Sequence, residues 1–133
     1  MSENVEQLKR GYEAFNQGDL EKVFDLLDPE IEWVTDERVP FAGTYRGHDE
    51  IRALLRDQQE VFGQVTMEPY EFFEAGDQVV AFVRQRARGE ASGAVVEITI
   101  GHLWTIRNGK AIRWQGFPER EKALEAAGLP PRR

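Results

Sequence analysis

The chain has 133 residues, with 24 acidic against 17 basic side chains and a formal net charge of −7, a balance that repels phosphate backbones and argues against general nucleic-acid binding. It contains no cysteine, which excludes thiol catalysis, zinc–thiolate sites and disulfide staples, and one domain of this length buries enough surface to fold without them. No apolar run approaches the ~20 residues that span a bilayer, and the opening MSENVEQLKR lacks the basic start and apolar core of a secretory leader. The expectation is a cytoplasmic protein that does not engage a membrane.

In chain order, Val5, Leu8, Tyr12 and Phe15 recur at spacings of three and four and predict an amphipathic helix over 3–16. Gly18 ends it and Asp19 is placed to cap the next, which carries Leu20, Val23, Phe24 and Leu27 and stops at Asp28-Pro29. Ile31, Trp33 and Thr35 then alternate with Glu30, Glu32 and Val34 as a short strand. Residues 36–46 hold Pro and Gly without periodicity and read as a loop. A third helix follows from about Asp49, with Ile51, Leu54, Leu55 and Phe62 on its buried side.

From Val65 the texture changes to β-branched and aromatic runs, punctuated by Ala75-Gly76-Asp77, Ala91-Ser92-Gly93 and Asn108-Gly109. Asn-Gly between alternating segments is a strong hairpin signal, so four antiparallel strands in a meander are expected. A short helix over 119–127 closes the chain at Gly128, with a stop at Pro130-Pro131. Helices, then strands, then a helix is an α+β order. The long first helix must cover one face of a curved sheet, and a sheet wrapped around a helix makes a cone whose open end is a cavity.

Three segments carry a family likeness: GYEAFNQGDLEKVFDLLDPEIEW, YRGHDEIRALL and GHLWTIRNGKAIRWQGFPEREKALEAAGL. Together they resemble the SnoaL-like branch of the nuclear transport factor 2-like superfamily, over nearly the whole chain. The resemblance implies a cystatin-like α+β barrel, a cone-shaped curved antiparallel (mixed) sheet wrapped around the long N-terminal helix, and a homodimer through the sheet's outer face. Function does not follow from it, because the same cone hosts isomerases, cyclases, hydrolases, dehydratases and binders. Aligned to the steroid isomerases of this fold, the oxyanion tyrosine falls at Gly11, beside Tyr12. The oxyanion acid falls at Gly101, beside His102, and the base falls near Thr35 or Asp36. Aligned to the epoxide hydrolases, Arg84 or Arg86 supplies the arginine, but Gln115 stands where an aspartate is needed. In SnoaL-like cyclases an acidic residue and a histidine do the work, and His102 resembles that histidine.

The residues themselves say more. Val96, Ile98, Ile100, His102, Trp104 and Ile106 share one strand face, so alternation turns His102 toward the apolar interior. The isomerase correspondence would instead turn Gly101 inward; the hydrophobic pattern is the one followed. A neutral imidazole there is either a general acid/base or a half-buried ring that donates to a backbone carbonyl or faces a dimer partner. Asp36, at the end of the first strand, is the candidate carboxylate base, or an exposed loop acid beside Glu37 and Arg38. Arg84 either binds a ligand oxygen or joins Arg86 and Arg88 as solvated partners of Glu97 or Glu90. Tyr45, with Phe41, could cap a cavity walled by Trp33, Phe62 and Trp104. Of Trp114 and Gln115 only one can point inward, and Gln115 is the polar candidate. His48 fits a helix-start role. No metal-ligand spacing is present. Two functions compete: cofactor-free acid/base chemistry on a small, mostly apolar or aromatic compound, and non-catalytic binding of such a compound or of a partner protein.

Overall fold

The computed structural model describes residues 2–38, 41–89 and 93–130. The expected turn at Ala91-Ser92, a pairing with Glu90 and the stop at Pro131 lie outside them. Helix α1 spans Glu3–Asn16, and its start is set by the Ser2 hydroxyl, which accepts the Val5 N–H at 3.1 Å. Gly18, at φ 79°, turns the chain into α2, Leu20–Asp25, whose cap is the Asp19 carboxylate on the Lys22 N–H.

This helix ends sooner than its apolar pattern suggests. Leu27 and Asp28-Pro29 belong to β1, Leu27–Thr35, where Pro29 falls in a register irregularity between Leu27 and Glu32. The expected loop over 36–46 is corrected too. Gly43–Arg46 form β2, a strand too short to show alternation and held by pairing with β1, with Trp33 opposite Tyr45. Helix α3 spans Gly47–Phe62, and its first turn is closed by Glu50, whose carboxylate accepts the Arg46 N–H at 2.8 Å. His48 instead donates from Nε2 to the Leu27 carbonyl at 2.9 Å and packs on Phe24, tying α3 to β1.

The four-stranded meander is as expected: β3 Gln64–Ala75, β4 Gln78–Arg88, β5 Val95–Arg107 and β6 Lys110–Phe117. Asn108 and Gly109 both take positive φ, the mirror-image turn that matches strand twist. β1 lies parallel against β6, giving one mixed, curved sheet of order β2-β1-β6-β5-β4-β3 that stays open rather than closing into a barrel. Helix α4, Arg120–Ala126, ends the fold.

Strand alternation then builds two cores. Val79, Ala81, Val83, Ile100, Trp104 and Trp114 face α1 and α3 on the concave side. Val80, Phe82 and Leu103 face Ala123 and Leu124 of α4 on the convex side. Gly101 faces α4: a Cβ there would stand 2.8 Å from the Ala123 Cβ. The register of β5 with β4 runs unbroken from Val95 to Thr105, so the inward phase of His102 follows from simple alternation.

Candidate functional site

The concave side keeps two hollows that share part of their lining. A small one of about 60 Å³ lies under α1 and is lined by Tyr12, Phe15, Leu27, His102 and Trp104 among others. A larger one of about 470 Å³ lies between α3 and the far halves of β4 and β5, with Thr35, Gln58, Phe62, Gln85, Ile98 and Ile100 on its walls. Trp33, Leu55, Met67, His102 and Trp114 line both and form the partition between them. The larger volume is in the range of small-molecule sites, whereas the smaller one holds only a few atoms. Val61, Val96 and Ile98 on its walls are about half exposed or more, so its mouth is apolar.

His102 is 1% exposed, the one buried polar or charged residue in the core among the described residues. Its Nδ1 lies 2.7 Å from the Tyr12 hydroxyl, and that hydroxyl oxygen also accepts the Trp104 indole N–H at 2.9 Å. The phenol has one proton to give. With its oxygen already taken by Trp104, donation to Nδ1 satisfies all three groups and assigns the imidazole proton to Nε2. Burial pushes the His102 pKa down to about 3, so the ring is neutral at physiological pH. Burial likewise raises the Tyr12 phenol, partly opposed by the Trp104 donor, so it remains a proton donor. Neither His102 Nε2 nor Trp114 Nε1 finds a partner among the described residues, although both atoms are buried.

The structure brings together four of the eight residues singled out from sequence. His102, Trp33, Phe62 and Trp104 all line the hollows. Asp36 does not. Its carboxylate accepts Arg38 Nε at 2.9 Å and the Arg38 N–H at 2.8 Å, and these donors pull its pKa down to about 2, which makes it a poor base. Tyr45 packs at the edge of the inner core and donates its hydroxyl to the Phe41 carbonyl at 2.9 Å. Arg84 follows Val80 and Phe82 onto the convex face, where it pairs with Glu68 at 2.7 Å and Glu97 at 3.0 Å. Gln115 stands opposite Leu103 and so faces outward, leaving Trp114 as the inward member of that pair. Among the described residues, no carboxylate lines either hollow.

Tyr12 is the residue that sequence reasoning missed. It sat in the apolar stripe of α1 and looked like packing, and the isomerase alignment pointed one residue away, to Gly11. The same one-residue offset occurs at Gly101 and His102. Tyr12 and His102 are the inward side chains, and they meet across 90 positions of sequence. The usable signal was the inward phase of both, read together.

Comparison with known proteins agrees with this architecture. A family model described as a SnoaL-like domain matches residues 8–114. An uncharacterised protein of Mycobacterium tuberculosis is 27% identical over 125 residues, covering 92% of this chain and 94% of that protein. The crystal structure of TerC co-crystallised with polyporic acid superposes with a TM-score of 0.81 at 30% identity, covering 96% of this chain and 99% of that one. A nuclear transport factor 2-like protein of unknown function from Burkholderia pseudomallei gives a TM-score of 0.80 at 26% identity, covering 94% and 97%.

Proposed function

The chain belongs to the SnoaL-like family of the nuclear transport factor 2-like superfamily, and from that premise we propose that it handles a small, mostly apolar carbonyl or aromatic compound, with His102 as a neutral hydrogen-bond donor to the ligand's oxygen. The observation that carries this reading is the buried Nε2–H of His102, a residue that lines both hollows, without a partner among the described residues. Leaving such a donor unpaired costs about 1–3 kcal/mol, and a ligand oxygen recovers it. Tyr12 fixes the tautomer from behind, and Trp104 fixes Tyr12. A donor held in a water-poor site gains strength where negative charge develops, so the natural chemistry is stabilisation of an enolate or phenolate during cofactor-free isomerisation or cyclisation. TerC, the similar protein co-crystallised with polyporic acid, supports an oxygen-bearing organic ligand.

The test is turnover of a panel of small aryl and enone ketones between pH 5 and 9. The expected rate is independent of His102 titration across that range, because the ring is already neutral, and His102→Ala lowers kcat/KM by about 100-fold or more. Equal rates in the two proteins would remove the histidine from the chemistry. A second reading, sequestration without turnover, is favoured by the lack of a carboxylate among the described lining residues. Binding of the same ketones with no product would establish it. We also propose a cytoplasmic homodimer, to be checked by light scattering.

A further inference from the structure

We infer that Trp114 is a second oxygen-binding donor, so that its indole N–H and the imidazole N–H of His102 converge on one ligand acceptor. The inference rests on the reading that His102 meets a ligand oxygen and extends it to the class of ligand. Trp114 Nε1 is buried and has no partner among the described residues, the same condition as His102 Nε2. The two rings stand edge to face with centroids 4.9 Å apart, and both residues line both hollows.

The placement of the indole is built, not incidental. Gly116 is the cross-strand partner of His102 and lies on the same inner face as Trp114, two residues on. A Cβ at Gly116 would come within 2.5 Å of the Trp114 ring, so glycine at this position lets the indole lie across the strand beside the imidazole. The opposite wall is Trp33, stacked on Trp114 at 4.2 Å and 16°. A donor with a fixed ring plane is also a donor with a fixed direction.

Two neutral N–H groups with no acceptor among the described residues select a ligand by what it offers. A carbonyl, enolate or phenolate oxygen has lone pairs for both donors, whereas a hydrocarbon of the same shape leaves both unpaired. The site is therefore built for the carbonyl or oxyanion edge of a flat apolar molecule, held against the tryptophan walls.

The experiment compares 1-tetralone with tetralin, its deoxygenated twin, by NMR-monitored titration of the intact protein. The wild type is expected to bind the ketone about tenfold or more tightly than the hydrocarbon. The ketone alone should move the Trp114 indole N–H resonance downfield, with the Trp114→Phe spectrum providing its assignment. In Trp114→Phe the preference should fall to about threefold or less, while the tetralin affinity stays within about twofold, a split that loss of packing would not produce. If Trp114→Phe keeps the full preference and His102→Leu abolishes it, the second donor is wrong and the first stands. Equal binding of the two probes by the wild type, or no binding of either, overturns both. Should Trp114→Phe not fold, Trp33→Phe and Trp104→Phe assign the Trp114 indole signal by elimination, and a Trp114 signal unmoved by 1-tetralone in the wild type overturns the inference.

Discussion

The two faces of β4 and β5 treat polar groups in opposite ways. On the convex face Arg84, Arg86, Glu68 and Glu97 form a ladder of ion pairs, partly exposed and mutually satisfied. Tyr70 joins it, with Arg84 over its ring and its hydroxyl accepting from Arg120. On the concave face, among the described residues, the His102 ring has no charge to balance it and one of its two nitrogens is unmatched. Charge density is thus a poor guide to the candidate site in this molecule. Exposed ions settle with one another in water, where each pair is worth little. A buried neutral donor cannot be settled by solvent, so its desolvation cost stands until an acceptor reaches it.

The sharpest way to break this contrast is Tyr12→Phe. It strands both His102 Nδ1 and the Trp104 N–H in the interior and should cost about 2–6 kcal/mol in denaturant unfolding, since each orphan costs about 1–3. A loss below about 1 kcal/mol would mean that the relay is not closed as described.

Acid should expose the same face. The folded pKa of His102 is depressed, so between the ordinary value near 6.5 and about 3 the unfolded chain binds the proton and the native one does not. This contribution is complete above about pH 6.5 and is lost as pH falls, by about 3 kcal/mol at pH 4. His102→Leu should flatten the wild-type slope in that window, and parallel pH–stability curves would contradict the buried neutral ring.

Intermediate effects belong to the convex core. Gly101→Ala drives a methyl against Ala123 and should destabilise by about 1–3 kcal/mol, measured by thermal melting, without weakening ligand binding in the hollow. The smallest change is Arg84→Ala, expected within about 1 kcal/mol, and smaller still in high salt. A larger loss there, or lost turnover, would put Arg84 back in the site.

How much of this was legible depends on the range of the physics. Helix periodicity, the Asn108-Gly109 turn and the inward stripe through His102 are consequences of local backbone geometry, so they show in the residues themselves. The strand Gly43–Arg46 was not legible, because four residues carry no alternation and only pairing with β1 makes them a strand. Asp36 was overestimated for a similar reason. Its neighbour Arg38 neutralises it, and that geometry belongs to a turn the pattern did not resolve.

By itself, then, the sequence determined an α+β fold, a curved sheet and a histidine facing its interior. Tertiary structure decided that Tyr12 stands behind that histidine, that Trp114 and not Gln115 looks inward, and that Arg84 looks outward. Periodicity states which face of its own strand or helix a side chain occupies. Which groups meet across a hollow is set by register and packing between segments up to 90 positions apart, and no local pattern encodes that distance.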